Sequence, residues 1–176
     1  MTFLVLFAAA ILCIGFAFVR THIKSSRLSN MSWEDLVAKL EPLPSDGIAS
    51  VALEYLHPMK GQIGIETDQL WTMIGGADGL QRMRANADVL IALAGYAQRW
   101  NFNESVIVAE RMRRDAILLK RATFRLGLNL AFGRGEVRGP FNVQEAASAY
   151  YLMRQRLLAL YETSHAGRYS YLAAAA

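Results

Sequence analysis

From Thr2 to Val19 no side chain is charged, whereas from Ser32 onward apolar residues return every three or four positions among charged ones. The two patterns predict two kinds of helix. The first run is 18 residues long and as a helix covers about 27 Å at roughly 1.5 Å per residue, close to the hydrocarbon thickness of a bilayer. A single transmembrane helix is the expectation there. The second pattern predicts amphipathic helices that bury one face each.

Punctuation divides the second part. Ser32 suits an N-cap, with Glu34 and Asp35 in the first turn and Trp33, Leu36, Val37 and Leu40 along one face. Pro42 and Pro44 end that helix. Another starts at Ser45, turns Ile48, Val51, Ala52, Tyr55 and Leu56 inward, and stops at His57-Pro58. A turn or two follows around Thr67 to Ile74, and Gly75-Gly76 breaks the chain.

Three longer helices are predicted after the break. One runs from about Ala77 to Trp100, with Leu80, Met83, Ala87, Leu90, Ile91 and Ala94 in a stripe. The next covers Glu104 to Phe132, capped by Asn101 or Asn103 and supported by the pairs Glu110–Arg114 and Arg111–Asp115. The last runs from an Asn142 cap to about Thr163, before Gly167, and turns Leu152, Leu157, Leu158 and Tyr161 inward. Within 124–132, Phe124, Leu126, Leu128, Leu130 and Phe132 alternate with the period of a strand. No partner strand is evident and helix formers dominate, so a helix with a fraying end is expected, with strand as the open alternative.

The predicted fold class is therefore all-α. An N-terminal single transmembrane helix is followed by a soluble domain resembling a helical bundle. Residues 1–28 form the anchor and a basic juxtamembrane segment, and residues 29–176 form the soluble helical domain.

A retained anchor fits the leader better than a cleaved signal peptide. Basic residues do not precede the apolar run, and Phe18 and Val19 continue it past the small residues Gly15 and Ala17. Arg20, Lys24 and Arg27 follow the run and would contact anionic headgroups, each worth about 1 kcal/mol. Cations beside a span stay cytoplasmic, which places the soluble domain in the cytoplasm. Neither Val89–Ala97, which is too short, nor Ala116–Phe132, which carries Lys120, Arg121 and Arg125, suits a second crossing.

Composition excludes some chemistry. At 53% apolar and 19% charged residues the chain can build a core and is not of disordered type. Its sole cysteine, Cys13, lies in the apolar run, which excludes an intramolecular disulfide and a thiolate metal site. His22, His57 and His165 are scattered; Glu54 precedes His57 at a metal-ligand interval, but no second copy completes a di-iron set. Ser164 and His165 are adjacent in sequence and poorly disposed for proton transfer. No catalytic, cofactor or metal residue is assigned.

Charge is segregated. Residues 32–78 hold eight acids and two lysines, whereas 79–176 hold 14 basic and seven acidic residues. The acidic front docking onto the arginine-rich back accounts for this, with a ligand surface as the functional alternative. Gly133 to Pro140 reads as an inter-helix connection and lacks the spacing of a phosphate loop. Tyr150, Tyr151, Arg154, Arg156 and Tyr161 combine residue types enriched at interfaces and are the candidate partner surface.

These features predict a single-pass membrane protein whose helical domain acts as a binding, scaffold or accessory subunit. Its partners would be the bilayer and a protein or a second copy. The rival readings are a membrane-bound enzyme with a site assembled from distant residues and, third, nucleic-acid binding by the basic half.

Overall fold

The computed structural model describes Phe7, Gly15, Ile23 and residues 26–58, 64–99, 102–131, 135–164 and 166–176. The apolar run Thr2–Val19 (Phe7 and Gly15 apart), Arg20 and Lys24 lie outside the described residues. Among the described residues no helix is long and apolar enough to cross a membrane.

The described residues are helical throughout their ordered elements: α1 (Trp33–Ala38), α2 (Ser45–Leu56), α3 (Thr67–Ile74), α4 (Gly76–Ala97), α5 (Phe102–Ala131), α6 (Gly135–Ser164) and α7 (Ala166–Ala175). A short helical segment at 26–29 precedes α1. Ser32 caps α1 as its position predicts, its Oγ accepting from the Asp35 backbone N–H at 3.1 Å. The first three helices match the expected boundaries closely, because proline and glycine end them unambiguously. At the α3–α4 corner Gly75 takes φ of 80°, a left-handed conformation that glycine adopts without steric cost.

The centre of the domain is α6, which packs on α2, α3, α4, α5 and α7. Its broadest contact is with α5. Arg125 approaches Glu145 at 3.7 Å, and nearer the other end Asp115 pairs with Arg156. Residues that rise along α5 thus meet residues that fall along α6, so the two helices run antiparallel. The core side chains between them include Met112, Leu119, Leu126, Met153 and Leu157, all buried.

One open alternative is settled as the expected helix, and three expectations need correction. Residues 124–131 are helical, and of the alternating set Leu126 is buried while Phe124 and Leu128 are exposed. Burial there follows the period of a helix, which overrides an accidental alternation. The expected connection at Gly133–Pro140 is helical from Gly135 onward, with Pro140 inside α6. Glycine and proline signal a loop locally, but buried Gly139 lies against Leu126 and this packing extends α6 forward. Asn103 is inside α5 and caps nothing, while Asn101 lies outside the described residues. Finally, α6 ends at Ser164, close to the expected Thr163 before Gly167, but it is not the last helix. Helix α7 follows and buries Leu172.

The predicted docking of the acidic front on the basic back is partial. Arg82 approaches Glu41 at 3.9 Å and Arg168 approaches Glu34 at 3.8 Å. Closer pairs lie within the basic half itself, where Lys120 meets Asp88 at 2.8 Å. Asp115 answers Arg156 on α6, not its helical neighbour Arg111. Burial explains the choice: Asp115 faces inward while Arg111 is exposed.

Candidate ligand cleft and contact surfaces

The candidate partner residues on α6 divide between core and surface. Tyr150 and Tyr161 are fully packed, at 1% and 0% exposure. In this fold neither ring is at the surface. Tyr161 Oη accepts from Trp33 Nε1 at 3.1 Å and donates to the Leu93 carbonyl at 3.0 Å. Tyr150 Oη accepts from Asn86 Nδ2 at 3.2 Å. Burial raises both phenol pKa values above the ordinary one, against the smaller opposing effects of these hydrogen bonds and of nearby arginines.

Asn86 is the polar hub of this centre. Its side chain is fully buried, donates to the Glu41 carbonyl at 2.8 Å and accepts from the Glu41 N–H at 2.9 Å. One amide therefore ties the segment after α1 to α4 and, through Tyr150, to α6. No sequence pattern marked this residue. A lone Asn inside an apolar helical stripe was the available signal.

The remaining three candidates are half-buried. Arg154 Nη2 reaches the Ala173 carbonyl of α7 at 3.4 Å. Arg156 pairs with Asp115, and its pKa is lowered first by burial and then by Arg111. Both arginines therefore serve packing between helices. Arg27, the one described member of the juxtamembrane cations, is exposed.

Both carboxylate oxygens of Glu54 are engaged within the fold. Glu54 Oε1 accepts from the Ile65 N–H at 2.8 Å and Oε2 accepts from Gln144 Nε2 at 3.3 Å. His57 ends α2 and is exposed. Among the described residues no group of three or more His, Cys, Asp or Glu side chains is arranged to hold a metal ion.

A cleft of about 460 Å³ lies between the 26–29 segment, α1, α4 and α5, within the size range of small-ligand sites. Leu28, Leu36, Ile91 and Ala92 give it an apolar side, and Asp88, Arg99, Arg113 and Lys120 a charged one. Three cations against one carboxylate bias it toward anions. Lys120 Nζ donates to Asp88 Oδ1 at 2.8 Å, and Arg113 Nη1 donates to Glu110 Oε2 at 3.2 Å.

Arg99, which also lines the cleft, stacks on Tyr96, its guanidinium carbon 4.3 Å from the ring centroid. On the same ring, Arg168 of α7 approaches at 5.9 Å while stacking on Trp33 at 4.9 Å. This cation–aromatic ladder joins α7, α1 and the C-terminal end of α4. The cleft joins residues from Leu28 to Lys120, so no local motif could have announced it.

The outer face of α5 is the other feature that composition did not reveal. Phe102, Val106, Ile117, Phe124 and Leu128 are all exposed there, Phe102 by 67% and Phe124 by 64%. No protein-family model matches the chain, and no curated protein and no solved structure shows a significant match to it.

Proposed function

We propose that this is a single-pass membrane-anchored protein whose helical domain, on the cytoplasmic side, binds an anionic group of a membrane-associated partner in the α4–α5 cleft. The observation that carries the reading is the cleft's composition: an apolar wall faces Arg99, Arg113 and Lys120, and Leu28 and Ser29 are among its lining residues. Those two residues follow within ten positions of the uncharged run Thr2–Val19 and its basic flank Arg20, Lys24 and Arg27. An anchor there holds the cleft close to the bilayer and raises its effective concentration toward membrane partners. The run and its following cations support retention and cytoplasmic orientation.

Binding fits the site better than catalysis. Each carboxylate near the cleft already has a cationic partner, Asp88 with Lys120 and Glu110 with Arg113. Two opposed ion pairs suit recognition of charge more than proton transfer.

Capture of the full chain from detergent-solubilised membranes tests this. Wild type retains a membrane partner, and Arg99→Glu with Lys120→Glu releases it without loss of helicity. Equal retention by the charge-reversed chain contradicts the cleft, and a chain that turns over a metabolite with no partner contradicts the binding role. A C-terminal alkaline-phosphatase fusion that is active in the periplasm contradicts the orientation.

A further inference from the structure

The geometry points to the exposed face of α5 as a second contact surface, one that lies on an anionic lipid bilayer. For its placement it rests on the anchored reading above. Along α5, Phe102 and Val106, Arg113 and Ile117, and Phe124 and Leu128 form pairs four residues apart that repeat every eleven. An eleven-residue repeat keeps a stripe almost parallel to a straight helix axis, here within an arc of about 80° and over about 39 Å.

The stripe exposes a sizeable apolar area. A Phe side chain has about 200 Å² of surface, so Phe102 and Phe124, at 67% and 64% exposure, leave roughly 130 Å² each. With Val106, Ile117 and Leu128 the apolar area sums to the order of 400–500 Å², divided by Glu110 and Arg113 into an N-terminal and a C-terminal group.

Charge identifies the occupant. Helix α5 carries Arg111, Arg113, Arg114, Lys120, Arg121 and Arg125 against Glu104, Glu110 and Asp115, and Asp115 is turned inward to Arg156. Arg113, Arg114, Arg121 and Arg125 are exposed in or beside the stripe, Arg113 and Arg114 next to Glu110 and Arg125 next to Glu145, whereas Arg111 lies toward Arg156 of α6. Two copies meeting on this face would set cation against cation. An anionic bilayer meets the same face with complementary charge, taking Phe, Ile and Leu at the acyl boundary while arginine stems reach back to the headgroups.

Position supports the same occupant. Arg113 belongs to the stripe, and it lines the cleft together with Leu28 and Ser29, the residues nearest the predicted anchor. The α5 face thus adjoins Leu28 and Ser29, which follow the predicted anchor closely in sequence.

Spin labels on the full chain in vesicles test the proposal. Ile117→Cys, Phe124→Cys and Leu128→Cys are labelled separately in a Cys13→Ser background, with Ser50→Cys on α2 as reference. Collision with oxygen is compared with collision with a water-soluble nickel complex. In phosphatidylglycerol vesicles the three α5 labels favour oxygen and Ser50 favours nickel. The oxygen preference falls several-fold in phosphatidylcholine, in high salt, or with Arg114→Gln and Arg121→Gln.

Nickel-accessible α5 labels in anionic vesicles overturn the proposal. So does spin–spin broadening relieved by dilution, which marks a second copy, or burial of the labels that persists unchanged in detergent, which marks cover by the leader. The anchor is read separately. A chain that resists alkaline extraction but keeps water-exposed labels defeats this inference alone. A chain released by salt, with oxygen-favouring labels beforehand, defeats the anchor alone.

Discussion

Helix α6 carries the tyrosines and arginines that composition assigns to an interface, yet Tyr150 and Tyr161 sit at the centre of the core. Helix α5 carries the phenylalanines that composition assigns to a core, yet Phe102 and Phe124 face outward. The difference lies in how each helix is surrounded. Five helices pack around α6 and leave its polar hydroxyls to be satisfied internally, by Trp33, Leu93 and Asn86. α5 packs chiefly on α4 and α6 and keeps an outer face. Amphipathic aromatic side chains report where a polar tip can be bonded, and that condition is met in a core as well as at a contact.

The comparison breaks most readily at Asn86. Asn86→Ala removes the partner of the Glu41 N–H, the Glu41 carbonyl and the Tyr150 hydroxyl together. With buried groups left unbonded, the loss is about 3–4 kcal/mol in chemical denaturation of the detergent-solubilised full chain. Asp115→Ala comes next. It leaves half-buried Arg156 beside Arg111, and partial solvent access limits the cost to about 2 kcal/mol.

Tyr161→Phe is smaller, about 1–2 kcal/mol, because shape is kept and only the Trp33 and Leu93 partners are lost. It also has a pH signature. Burial raises the Tyr161 phenol, so the native state holds that proton more tightly than the unfolded chain does. The contribution is complete below about pH 10, the ordinary tyrosine value, and is lost as pH rises from there through the raised value. An alkaline denaturation series on Tyr161→Phe is accordingly flatter than on wild type.

The outer face gives the smallest stability effect. Phe102→Ser and Phe124→Ser change stability by less than about 0.5 kcal/mol, the range of surface substitutions. A loss above 2 kcal/mol from either would show that α5 is packed on both sides and would erase the contrast.

Much of the helical layout was legible because its ends are chemical. Ser32 has an oxygen to offer Asp35, Pro44 precedes α2, and only glycine adopts the Gly75 turn cheaply. Where the ends depend on packing, the signals misled. Pro140 reads as a stop but lies inside α6, and Gly167 lies within a further helix, α7. The cleft was illegible for a different reason. Ile91, Arg99 and Lys120 are gathered by the packing of α5 on α4, Leu28 comes from the 26–29 segment, and no spacing rule spans that distance. The α5 stripe was not read either, because Phe124 and Leu128 stood out only as members of a strand-like alternation, and it is the helical period that separates buried Leu126 from them.

Hydroxyl-radical footprinting of the full chain, in anionic vesicles and in detergent, tests the division between the two helices most directly. Tyr150 and Tyr161 are expected to resist oxidation in both settings, while Phe102 and Phe124 are oxidised in detergent and shielded in vesicles. Shielding of the two tyrosines that depends on lipid, with the phenylalanines unchanged, would contradict that division.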